Sequence, residues 1–175
     1  RIPSAEPGDR VPLEEGDIIE LGSGDQLCRL RVVLDEAGEP VPMVPILCGH
    51  FGAFVEGHAD PAEHEPFAVA VRALREVMDS RRALVVAAAD LAHVGPAFGD
   101  SYGLDFIGKA RLRSADERLL EAIYAGDDRA FFELLRAEGD RRHVCGLPPI
   151  YLTLRLLGDV RGRPAGYALC PADTR

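Results

Sequence analysis

A chain of 175 residues is one domain by the usual size relation and long enough to bury a core of its own. Apolar residues make up 47% and charged residues 28%, values of an ordinary globular protein rather than a disordered chain, and no apolar run is long enough to cross a bilayer. The net charge of -9 argues against a nucleic-acid partner, because phosphate contacts need clustered Lys and Arg.

Lys109 is the only lysine, and the adjacent pairs Arg81-Arg82 and Arg141-Arg142 read as solvated helix ends. The cysteines Cys28, Cys48, Cys145 and Cys170 are scattered without a CxxC pair, so no zinc ribbon or thioredoxin-type motif is present and a reducing cytoplasm is the expected home. The chain opens on Arg1 with Met43 and Met78 as its only methionines. A fragment, a processed product or a trimmed form is therefore expected, with no secretory signal.

Residues 1–25 mix Pro, Gly and acidic residues and read as a linker or loosely packed arm, leaving 26–175 as the single folded domain. Leu27–Leu34 and Val41–Cys48 are apolar and β-rich, and the Asp35–Pro40 stretch between them has turn chemistry, which predicts a hairpin. Pro42 and Pro45 would put its second strand at an edge. Gly49–Glu65 reads as a surface loop carrying His50, His58, His64, Glu56, Asp60 and Glu63. Those are metal-type ligands, but their spacing matches no compact zinc module and a solvated acidic loop accounts for them.

A helix is expected from Pro66 to Asp79-Ser80, with Phe67, Val71, Leu74 and Met78 on one face. The run Ala83–Ala89 has no polar interruption and predicts a strand covered on both faces, as in a parallel or mixed sheet. Strand, helix and strand would then form a right-handed crossover unit. Ser114-Ala115-Asp116-Glu117 has the pattern of a capping box opening a helix, followed by a second helix over Asp128–Glu138 with Phe131, Leu134 and Leu135 inward, ended by Gly139. A further helix opens at Pro148-Pro149 and runs to Gly158, and Gly166–Cys170 is a short candidate strand. The fold class expected is α/β, with a mixed, largely parallel central sheet flanked by helices.

Two places carry chemistry. Asp90 and His93 follow directly on the apolar run, where a strand of an open α/β sheet would surface and where such folds bind ligands. An imidazole titrates near neutral pH and can act as a general acid or base beside a carboxylate; the structural alternative is a turn-capping Asp90 and a hydrogen-bonded loop histidine. Cys145 lies just before a helix N-terminus, where the macrodipole favours thiolate, metal ligation or nucleophilic character. The alternative is an inert core cysteine. His143 would face away from Cys145 if the segment is extended. No phosphate loop, GxSxG elbow or HExxH helix occurs.

Val44-Pro45-Ile46-Leu47-Cys48-Gly49, Val85 to His93 with Gly95, Asp116 with Leu119-Leu120 and Ala122-Ile123, Gly126-Asp127 with Phe131, Cys145-Gly146 with Pro148-Pro149-Ile150, and Tyr167 together resemble the MEMO family, protein B of the AmmeMemoRadiSam gene set. The match is collinear over residues 41–170, and its D-x-x-H-x-G block followed by C-G-x-x-P is its most specific part. The resemblance implies an α/β fold similar to class III extradiol dioxygenases of the protocatechuate 4,5-dioxygenase type, with iron or copper in the corresponding pocket. It gives His93 the acid/base place with Asp90 its neighbour, and Cys145 the place of the family's metal-ligand cysteine.

Family members also contribute two histidine ligands from an N-terminal half, whereas residues 1–40 contain no histidine. The expected site is thus incomplete and binds no metal tightly on its own, and the missing N-terminal segment or another protomer is the expected partner. If the chain is an enzyme, the resemblance implies a non-haem iron- or copper-dependent, dioxygenase-like oxidoreductase. The rival readings are a non-catalytic protein or peptide interaction module of the same fold, and a cysteine-dependent hydrolase or transferase using Cys145 with His143 or His93.

Overall fold

Helix ends set by specific side chains, and one apolar face per helix, account for most of the structure. The computed structural model describes the backbone of residues 18–21 and 28–31 and the whole of residues 44–169. Contacts divide the chain into Arg1–Leu47 and Cys48–Arg175.

In the first unit, β1 (Ile18–Leu21) and β2 (Cys28–Arg31) pair antiparallel with Ile18 opposite Arg31 and Leu21 opposite Cys28. β1 falls within the expected arm, and β2 within the expected Leu27–Leu34 strand. Its partner is not the expected Val41–Cys48 segment, whose residues 44–48 take no regular structure. Most of the arm, the 35–40 turn and Cys170 lie outside the described residues.

The second unit is helical: α1 (Gly52–Val55), α2 (Glu65–Asp79), a 3-10 turn at Pro96–Phe98, α3 (Phe106–Ala125), α4 (Asp128–Ala137) and α5 (Leu147–Leu157). Pro66 sits in the first turn of α2, where a missing N–H costs nothing. Asp105 caps α3 by accepting from Gly108 N at 2.6 Å, and Asp127 caps α4 by accepting from Ala130 N at 2.8 Å. Gly126 joins those two helices at φ 71°. A Cβ there would stand 2.2 Å from the Val160 carbonyl oxygen, so only glycine makes this corner.

The core forms where α3, α4 and α5 meet, from Leu119, Phe131, Phe132, Leu135, Val144, Leu147, Tyr151 and Leu154, with Phe51 packed edge-on against Tyr151 at 5.6 Å. A second, smaller cluster places Val71 of α2 against Leu152 and Leu156 of α5. There Arg75 reaches across to the carbonyl oxygens of Arg155 and Leu156, which have no helical partner at the end of α5.

Several expectations are corrected. The described residues contain no central sheet, parallel or mixed: their only strands are the β1–β2 pair, and the second unit is helical, so the α/β class does not hold. Ala83–Ala89 carries no regular secondary structure and belongs to no strand ladder. Its side chains alternate as in a strand, with Val85, Ala87 and Ala89 half-buried while Leu84 and Val86 are 88% and 72% exposed. Composition and β-branching favour extended backbone here, but a sheet needs a second backbone alongside. With neither flank a strand, the crossover unit around α2 is absent as well. Finally, α3 begins eight residues before Ser114, so the capping-box pattern lies inside a helix, and Gly166–Leu169 takes no strand conformation.

Candidate functional site

Asp90, His93 and Cys145 come from loops far apart in sequence, and backbone contacts bring those loops together. The Gly146 N–H donates to the Asp90 carbonyl at 3.0 Å, and the His93 N–H donates to the Arg142 carbonyl at 2.7 Å. Gly146 permits the first contact, because a Cβ on it would lie 2.5 Å from the Asp90 oxygen and 3.3 Å from the Ala89 methyl. The Cys145 thiol points at the same Asp90 carbonyl, Sγ to O 3.6 Å.

The His93 ring is held on two sides. Its Nδ1 lies 3.1 Å from the His143 carbonyl oxygen and must donate to it, while Phe98 packs edge-on at 4.8 Å. The proton of the neutral ring is thereby assigned to Nδ1, leaving Nε2 with its lone pair. Nε2 stands 3.9 Å from Asp90 Oδ2, beyond hydrogen-bond range. Loop 95–100 presents Phe98, and the Gly95 N–H fixes it by donating to Asp100 Oδ2 at 2.6 Å.

His143 contributes its carbonyl rather than its imidazole. Its φ of 49° and the 48° of Asp140 form a tight turn instead of an extended segment, closed by Val144 N donating to Asp140 Oδ1 at 2.9 Å. Non-glycine residues in the left-handed region are costly and need surrounding support. Burial pushes the Cys145 thiol pKa up, and the Asp90 and Asp140 carboxylates push it the same way. At neutral pH the side chain is a thiol, contrary to the thiolate expected from the helix end alone.

A family model described as Memo-like protein matches residues 60–169, more than half of the chain. The chain belongs to the Memo-like family. No curated protein and no solved structure matches it.

Behind the Memo-like loops lies a buried polar network that the sequence reading missed. Asp116 of α3 is 2% exposed. It is paired with Arg142 and accepts from the Tyr167 hydroxyl at 2.8 Å, while Glu138 holds the other side of the Arg142 guanidinium at 2.9 Å. Arg142, expected as a solvated helix end, is the residue whose carbonyl receives the His93 N–H. Burial, reinforced by the hydrogen bond to Asp116 and its charge, raises the Tyr167 hydroxyl well above its ordinary range. The sequence signal was an aspartate at a core-facing helical position, one turn before Leu119.

No group of three or more His, Cys, Asp and Glu side chains converges as a metal site among the described residues. His93 Nε2 and the Cys145 thiol, on loops joined by backbone hydrogen bonds, do not by themselves fit a resident metal. His50, His58 and His64 do not join them. His50 Nδ1 accepts from Gly52 N, His58 pairs with the exposed Glu56, and His64 packs on Phe54. No helix among the described residues is long and apolar enough to cross a membrane.

Proposed function

We propose that the chain carries one side of a Memo-like pocket related to that of class III extradiol dioxygenases, with His93 as its acid/base group, Asp90 as the carboxylate beside it and Cys145 as a soft ligand. The observation that carries this reading is the convergence of the Asp90–His93 loop and the Cys145–Gly146 turn through two interloop backbone hydrogen bonds. A ring whose Nδ1 is fixed on a carbonyl offers Nε2 as a proton acceptor or a donor atom. The remaining ligands would have to come from outside the described residues, from a further segment or another protomer. Iron and copper(I) suit an imidazole with a thiolate better than magnesium does, and binding must release the thiol proton.

The test is metal loading of the anaerobically prepared, untagged chain, followed by elemental analysis. The expected result is sub-stoichiometric iron or copper that falls to background in both Cys145→Ser and His93→Ala. Loading that is unchanged in both variants, or absent from the unsubstituted chain even with added metal, overturns the proposal. The Cys-dependent hydrolase or transferase reading is disfavoured by the raised thiol pKa.

A further inference from the structure

Residues 82–90 carry no regular secondary structure, and from Leu84 onward their burial alternates with period two, as in an extended chain; the exposed even-numbered side chains carry complementary ends: Arg82, then Leu84, Val86 and Ala88, then Asp90. Between them, Leu84 and Val86 present an apolar surface to solvent. Among the described residues, no backbone hydrogen bond is made by 83–89, so its backbone groups can serve as a template for another strand.

We propose that this edge pairs antiparallel with the same stretch of a second copy, about a two-fold axis through Val86. In that register Val86 meets Val86, Leu84 meets Ala88, and Arg82 of each copy lies opposite Asp90 of the other. The apolar centre and both charged ends are satisfied at once, which is what a self-complementary, isologous interface requires. A shift of one residue would turn the exposed apolar side chains away from one another, and a shift of two would unpair the charges.

The backbone allows this register. Gly146 N already occupies the Asp90 carbonyl, and backbone groups alternate sides along an extended chain, so the even-numbered residues address the Gly146 side and the odd-numbered ones the opposite edge, which is open among the described residues. On the open edge Val85 pairs with Ala87 and Ala83 with Ala89 through hydrogen bonds. The Val86, Leu84–Ala88 and Arg82–Asp90 positions are then the non-hydrogen-bonded pairs, in which opposing side chains stand closest. A second copy therefore brings its Arg82 to the carboxylate beside His93, adding a cation at the mouth of the pocket.

The test is light scattering coupled to size exclusion, over about 5 to 200 µM protein, on the full chain and on three variants. The unsubstituted chain is expected to form dimers whose dissociation constant rises at least tenfold in Val86→Lys, which sets like charges face to face. Arg82→Glu is expected to weaken the dimer in the same way, and Arg82→Glu combined with Asp90→Arg to restore it. Circular dichroism checks that each variant keeps its helices, which is expected because the substituted side chains are exposed. A chain that stays monomeric at the highest concentration overturns the proposal and leaves the edge to a strand of different sequence. A dimer indifferent to Val86→Lys, or one the double charge exchange fails to restore, also overturns it.

Discussion

Replacing Asp116 with Ala strips Arg142 and Tyr167 of a shared buried acceptor, leaving the guanidinium to Glu138 alone. Breaking a buried pair by removing one partner costs about 3 kcal/mol or more, and urea denaturation of Asp116→Ala should show a loss of that size. His93→Ala removes one hydrogen bond and one ring contact from a partly exposed loop, so its loss should be only about 1 kcal/mol. Equal losses in the two variants would mean that His93 serves the fold rather than the pocket. Tyr167 gives a pH signature. Its hydroxyl is held protonated in the folded state above the ordinary value of 10.0, so its contribution is fully present below that pH and is lost as the pH rises beyond it. Stability should therefore fall more steeply above pH 10 in the unsubstituted chain than in Tyr167→Phe, and equal alkaline slopes would contradict the assignment. For Cys145, alkylation at pH 7 should run slower than that of a free thiol, because burial and two carboxylates oppose the thiolate.

Among the elements, the corner between α3 and α4 is the most sharply constrained. Gly126→Ala forces a Cβ into the left-handed region and against the Val160 carbonyl, so it should destabilise by clearly more than the roughly 1 kcal/mol of losing the Asp127 cap in Asp127→Ala. Parallel urea titrations of the two variants check that order. The bounds of α2, α4 and α5 were legible in the sequence because proline, aspartate and glycine mark their ends and each has one apolar face. The start of α3 was not, since Phe106 and Ile107 are exposed and Gly108 follows them. The Ala83–Ala89 run shows where local information stops. Extended backbone is written in its residues, whereas sheet membership depends on a second strand that no property of the run itself specifies.

For the whole molecule, the candidate residues were legible while their assembly was not. His93, Asp90 and Cys145 stand out by type and by their position next to apolar segments. That they meet depends on the left-handed turn at Asp140–His143, on Gly146 admitting the Asp90 carbonyl, and on the Arg142–Asp116 pair fixing the turn from behind. Each of these links joins residues distant in the chain, and neither periodicity nor spacing encodes them. The central claim, that the 142–146 turn orients His93 with Nε2 open to the pocket, is tested most directly by nitrogen-15 NMR of the His93 ring at a pH where it is neutral. A spectrum with the proton on Nδ1 and a bare Nε2, disturbed in Gly146→Ala, is the predicted result. A proton resident on Nε2, or a ring signal unmoved by Gly146→Ala, would contradict the account.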